Sequence, residues 1–295
     1  MDNYELECYK KAGRIASQAL NLGISKIKEG ESITKILDEV ESHILRSGAE
    51  IAFPAQISIN NVAAHQCSID EDEKIPKGII KLDVGAAVDG FIGDNAKSVA
   101  IGTESKVIDA SRAALNNALK LVRPGVKIGE IGREIESTIK KAGFLPIKNL
   151  SGHGLGKYQI HKAPSIPNYD SGDETELKEG DVIAIEPFAS TEDQLVSNQG
   201  LPTVFSLIPK SKQPRGNMTR QVLKTIKTYK GLPFTTRWLI KIHGVGTTNF
   251  ALRELKQLGM LEEHPPLAVP NGYVSQSEHT VIVKNKPIIT TESGE

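Results

Sequence analysis

The chain has 295 residues, 39% hydrophobic and 24% charged, with 36 basic and 36 acidic side chains and no net charge. That balance excludes a disordered tail protein, and the length can bury a sizeable core in one large domain or two modest ones. No apolar run approaches the ~18–20 residues that span a bilayer, the first residues lack a secretory signal pattern, and Cys8 and Cys67 offer no disulfide framework, so a reducing, cytoplasmic setting is expected.

A helix is expected from Leu6 to Ile27. Ser32 then opens an apolar series at Ile33, Ile36, Leu37, Val40 and Ile44, closed by Gly48, which is helical spacing. The stretches Ile57 to Val62, Ile79 to Val84 and Val88 to Ile92 are β-rich. Helices return from Val107 to Val122 and over Ile128, Ile131, Ile135 and Ile139, ending at Gly143. Lys77-Gly78 and Glu179-Gly180 each precede an apolar run that ends in a carboxylate, Asp83 in one and Glu186 in the other. This is the pattern of a duplicated strand unit presenting one acid from each half.

After Glu186 the texture changes. From Gln194 to Arg253 there is no acidic residue, and ten basic ones make the segment +10 and the remainder −10. Helices are expected over Thr219 to Tyr229 and Asn249 to Leu258, with Gly231 and Gly259 as caps. A strand-rich tail runs from Tyr273 to Val283, turns at Asn285-Lys286-Pro287 and ends over Ile288 to Thr291. Residues 194–271 therefore read as an inserted basic helical subdomain within a domain made of 1–193 and 272–295. A segment so lopsided is attracted to polyanions; Arg237-Trp238 within it offers either a stacking contact or a core residue.

The strongest chemical signal lies between Asp83 and Asp94. Asp89-Gly90 between apolar runs is a favoured two-residue hairpin turn. It sets Val88 opposite Phe91 and Gly85 opposite Asp94, so Asp83 and Asp94 share one face as diagonal neighbours with nothing bulky opposite Asp94. Two acids on a buried face repel and are costly to desolvate, and a shared cation relieves both. Glu186 directly follows the apolar run Val182 to Ile185, and Glu278 sits in a strand-like stretch where surface alternation is the plainer reading. His153 lies in a glycine-bracketed loop, His161 follows eight residues later and His65 stands just past a strand; His43, His243 and His264 read as solvated. Four acids with imidazole suit a two-metal site taking Mn, Fe(II), Co or Zn, a recipe for hydrolysis.

These residues, in order, resemble type 2 methionine aminopeptidases, most of all the short archaeal form. The match rests on Phe53-Pro54, Asn60-Asn61-Val62-Ala63-Ala64-His65, Leu82-Asp83-Val84-Gly85 and Asp89-Gly90-Phe91-Ile92-Gly93-Asp94. It continues through Asn149-Leu150-Ser151-Gly152-His153, Ile160-His161, Ile185-Glu186-Pro187-Phe188-Ala189 and Gln276-Ser277-Glu278-His279-Thr280. The resemblance implies an α+β pita-bread fold, two pseudo-symmetric halves around a curved antiparallel sheet, with a winged-helix-like insertion. It implies that Asp83, Asp94, His153, Glu186 and Glu278 hold two divalent metals. A hydroxide bridging them would attack the first peptide bond, with Glu186 shuttling its proton. His161 would steady the carbonyl oxygen, His65 would contact the scissile amide, and Phe53 and Phe188 would line the methionine pocket.

The implied activity is removal of an N-terminal methionine from nascent chains, favouring a small second residue. The expected partners are that substrate and, through the basic insertion, the ribosome; no DNA or membrane partner is expected, and the chain is expected to act as a monomer. Two other readings share the fold. A prolidase usually carries a large N-terminal domain, for which Asp83 falls too early, and the non-catalytic RNA- or ribosome-binding homologues have lost metal ligands that this chain keeps. Asn95, Lys162, Ala163, Glu192 and Ser277 depart from the family pattern; Ser277, smaller than expected, would enlarge a nearby wall.

Overall fold

The computed structural model describes residues 1–208 and 214–292; Lys210 and Lys212 of the basic stretch lie outside the described residues. The chain begins α1 (Asn3–Lys26), α2 (Ile33–Arg46), β1 (Glu50–Ile59), β2 (Val62–Ala64), β3 (Gly78–Val88) and β4 (Phe91–Ile101). Then come α3 (Lys106–Leu121), α4 (Ile128–Lys141), β5 (Leu145–Pro146), β6 (Ser151–Gly156), β7 (Gln159–Pro167), β8 (Val182–Ile185) and β9 (Phe188–Ser190). The basic stretch adds β10 (Ser197–Asn198), β11 (Val204–Leu207), α5 (Asn217–Lys227), β12 (Phe234–Thr235), α6 (Thr236–His243), α7 (Val245–Gln257) and β13 (Leu261–His264). β14 (Leu267–Ala268) closes the inserted segment, and the tail holds β15 (Val274–Gln276), β16 (His279–Ile282) and β17 (Ile288–Ile289).

Each half packs a helix pair on a sheet. In the first, Ile33, Ile36, Leu37, Val40 and Ile44 of α2 are buried in one cluster with Ile57, Ile80 and Leu82 of β1 and β3. In the second, Ile128, Ile131, Ile135 and Ile139 of α4 are buried with Leu115, Ile183 and Val281. Each such side chain contributes ~1.5–3 kcal/mol by leaving water. The sheet order β1-β3-β4 serves the first half and β17-β16-β8-β6-β7 the second. α1 lies close on β4 because both lack side chains where they touch: a Cβ on Gly93 would sit 2.4 Å from the Gly13 Cα.

The β3–β4 hairpin has the expected register. Asp89 (φ 49°) and Gly90 (φ 82°) both adopt left-handed backbone, as a type I′ turn demands. Val88 pairs with Phe91, Gly85 with Asp94 and Asp83 with Ala96. The opening opposite Asp94 is not empty, however. A Cβ on Gly85 would lie 2.2 Å from Phe53 Cε1, so the Phe53 ring occupies that space.

The two sheets are stitched along β4. The Glu278 N–H donates to the Ala96 carbonyl at 3.0 Å. Thr280 Oγ1 accepts from the Asp94 N–H and donates to the Asp94 carbonyl, both at 2.8 Å. Ser98 does the same with the backbone of Gln276. These bonds bring an acid from the far end of the sequence beside the hairpin acids.

The basic stretch builds a three-stranded sheet, β12-β11-β13, against α5, α6 and α7. Phe205, Val222, Leu223, Ile226, Phe234, Leu239 and Leu255 form their own buried cluster. The eight-residue α6 is too short for its periodicity to stand out in the sequence. Its Arg237 reaches Asp38 and Glu41, Trp238 Nε1 donates to Glu41 Oε2 at 2.8 Å, and Lys241 pairs with Asp38. Lys230 pairs with Glu50. Three of the ten cations are thus neutralised by acids of the first half, and the Trp238 indole is a packed, hydrogen-bonded residue rather than a free stacking platform.

Candidate active site

One cavity of about 540 Å³ opens where the two sheets and the basic segment meet. Its lining includes Phe53, His65, Asp83, Asp94, His153, His161, Glu186, Phe188 and Glu278, all nine side chains singled out in the sequence. Asp83 and Asp94 come from β3 and β4, His153 from β6, His161 from β7, and Glu186 from the turn between β8 and β9. Glu278 breaks the tail between β15 and β16. That break is what turns a residue of a strand-like run into the cavity.

The acids crowd together. Donor atoms of Asp94, His153 and Glu278 all lie within 4.8 Å of one another. His153 Nε2 is 3.7 Å from Asp94 Oδ2 and 3.6 Å from Glu186 Oε1. Burial pushes the Asp83 carboxyl up to about 7. Burial first, then the charges of neighbouring acids, holds Asp94, Glu186 and Glu278 well above the ordinary carboxylate range. Burial also lowers His153 to about 3 and His65 to about 4, and holds His161 below its ordinary value. At neutral pH the imidazoles therefore carry no charge, and the contacts of His153 with the acids are not salt bridges.

This arrangement fits divalent metal. His153 Nδ1 lies 3.3 Å from the Gly154 carbonyl, which can only accept, so that nitrogen carries the proton. The Nε2 lone pair is then left facing two carboxylate acceptors. Asp83 Oδ1 and Asp94 Oδ1 are buried with no hydrogen-bond partner. Four buried acids and one neutral imidazole lining one cavity need protons or cations, and the oxygen-rich, nitrogen-poor set suits borderline divalent ions.

Two residues, one in the cavity wall and one behind its acids, escaped the sequence reading. His264, expected to be solvated, lines the cavity, edge-on to His65 with ring centroids 5.9 Å apart, and its Nε2 meets Ser206 Oγ at 2.8 Å. Burial lowers it as well. Its place at the end of β13 depends on how the basic segment docks, which no local pattern encodes. Gln276 is buried, and its Nε2 donates to both Glu186 Oε2 and Glu278 Oε2 at 3.4 Å. Its position two residues before Glu278 was the available signal.

The departures from the family pattern sort by location. Lys162 and Ala163 line the cavity. Ser277 forms no part of its wall; its hydroxyl turns to Ser111 of α3 at 3.1 Å. Asn95 is fully buried with neither amide atom partnered, and Glu192 is an exposed turn residue.

The family model for metallopeptidase family M24 matches residues 7–285. The chain belongs to metallopeptidase family M24. This M24 peptidase is 43% identical to a methionine aminopeptidase of Thermococcus onnurineus, over 97% of this chain and 99% of that protein. It is 41% identical to one from Archaeoglobus fulgidus, over 97% of each. Its fold superposes with a TM-score of 0.72 on a crystal structure of a methionine aminopeptidase from Thermotoga maritima, 22% identical, covering 99% of this chain and 98% of that one. The M24 peptidase thus has the pita-bread fold, two helix-backed halves meeting along β4, and divalent metal is its cofactor. No helix among the described residues is long and apolar enough to cross a membrane.

Proposed function

We propose that this M24 peptidase removes the N-terminal methionine of newly made proteins in the cytoplasm, favouring a small second residue, and that it is of the type 2 form. The observation that carries the reading is the Asp94–His153–Glu278 cluster on the floor of a cavity walled by Phe53 and Phe188, in a chain 43% identical to an archaeal methionine aminopeptidase. Type 2 is supported by the segment 194–271, an inserted subdomain with its own buried cluster whose ends are tied by pairing of β10 with β14. Two free, buried cysteines agree with a reducing compartment.

Two divalent ions, when bound, supply Lewis acidity toward the scissile carbonyl and lower the pKa of water. Asp83, Asp94, His153, Glu186 and Glu278 hold them. Glu186 takes the proton of the attacking water and returns it to the leaving amine. His161, whose partial desolvation in the cavity holds it below its ordinary value, donates an N–H to the carbonyl oxygen as it becomes negative. His65 contacts the scissile amide; its backbone is left-handed (φ 64°) and its N–H is held by Gln56 Oε1 at 2.8 Å, which aims the ring. Phe53 and Phe188 grip the methionine side chain. Hydrolysis of Met-Ala-Ser but not of an Xaa-Pro dipeptide is the test: the reverse preference makes the chain a prolidase, and no hydrolysis of either makes it a non-catalytic homologue.

A ribosome contact is part of this proposal. Arg220, Lys224 and Lys227 recur along one exposed face of α5, and none of them forms an ion pair among the described residues. Unlike Lys230, Arg237 and Lys241, they have no acid of the first half to neutralise them.

A further inference from the structure

β7 is the edge strand of the five-stranded sheet, and its pairing with β6 is irregular. His153 pairs with Ser165, but the next residue, Gly154, pairs with Lys162, so Ala163 and Pro164 have no counterpart. A bulge of this kind re-aims side chains. Instead of alternating, Ile160, His161, Lys162, Ala163 and Ser165 all border the cavity.

Lys162 is the one lysine or arginine among the described residues of that lining. It is exposed, its stem lies against Gly156, where an added Cβ would meet Lys162 Cδ at 3.4 Å, and its ammonium makes no ion pair or hydrogen bond among the described residues. Neighbouring cations are spent, Lys157 on Asp89 and Lys230 on Glu50. Glu5 and Asp181, which share a shallow hollow with Lys162, are engaged by the backbone N–H groups of Asp2 and Lys178. An unpaired cation is thus held at the mouth of an acidic cavity, one residue past the histidine proposed to meet the scissile carbonyl.

We infer that Lys162 is a specificity residue that favours substrates with an acidic side chain at the third position. The inference rests on the aminopeptidase reading. A peptide leaving the cleaved bond in extended form advances about 3.3 Å per residue. With the second residue at His65 and His161, as the aminopeptidase reading has it, the third would emerge along the edge of β7. There a carboxylate meets Lys162, and a substrate lysine meets a like charge.

The test compares kcat/KM for Met-Ala-Glu-Gly, Met-Ala-Lys-Gly and Met-Ala-Ser-Gly using the metal-loaded wild type, Lys162→Gln and Lys162→Glu. The Glu-to-Lys ratio is taken within each protein, so differences in folding or metal loading cancel. An exposed ion pair contributes little, so the wild type is expected to favour the glutamate peptide by about threefold to tenfold. High salt is expected to shrink that ratio. K162Q should bring it toward one and K162E should invert it. An unchanged ratio in both variants overturns the assignment of Lys162 while leaving the aminopeptidase reading intact. Failure of the wild type to release methionine from any of the three overturns the reading itself.

Discussion

The His161 ring stands edge-on to His153, with centroids 4.6 Å apart and an interplanar angle of 83°. One histidine belongs to the cluster of converging lone pairs and the other stands just outside it, so their losses should differ. Replacing His161 by Ala should slow turnover by about 10²–10³-fold, the scale for losing one oxyanion donor, with metal content unchanged. His153→Ala should lose metal. Metal analysis beside kinetics separates the two, and stoichiometric metal loss from the His161 variant would make His161 a ligand.

Gly85→Ala tests the packing of Phe53 on β3. The added methyl would collide with the Phe53 ring, so the ring must move. We expect a stability loss of about 1–3 kcal/mol, the scale for overpacking, and a raised KM for methionine-initiated peptides. Thermal unfolding and peptide kinetics that both match the wild type would remove Phe53 from the pocket wall.

Metal uptake should release protons. Burial keeps the Asp83 carboxyl near 7 and the other three acids well above their ordinary range, so the metal-free protein retains protons there at neutral pH. Metal must displace them, and affinity should therefore rise with pH as the acids lose their protons unaided. The histidine ligand contributes no proton of its own, being already neutral. Calorimetric titration at pH 7 in two buffers of different ionisation enthalpy reads the release directly; identical heats would contradict it.

Ribosome binding, if carried by α5, should be electrostatic. Changing Arg220, Lys224 and Lys227 to Gln should weaken co-sedimentation with ribosomes, and wild-type binding should fall steeply with salt. Binding equal in both proteins, or insensitive to salt, would leave the basic segment as a structural wall of the cavity.

Much of the site was legible because its parts are local. The Asp89-Gly90 turn fixes the β3–β4 register, and that register alone puts Asp83 and Asp94 on one face. The α2 and α4 stripes were equally readable, since helical burial has a short period. What escaped depends on distant segments docking. Phe53 covering Gly85, His264 reaching His65 and Gln276 bridging two glutamates all require one part of the fold to be laid against another. β7 and its bulge were also hidden: residues 159–167 hold two prolines and no clean alternation, and only the pairing with β6 defines them.

Metal-dependent release of an N-terminal methionine is tested most directly by one titration. Protein stripped by chelation should release no methionine from Met-Ala-Ser, and activity should return as Mn, Fe(II), Co or Zn is added, saturating with two bound ions per chain. Asp94→Asn should remain inactive and bind less metal. Full turnover by the stripped protein, or no methionine release at any metal loading, would contradict the account.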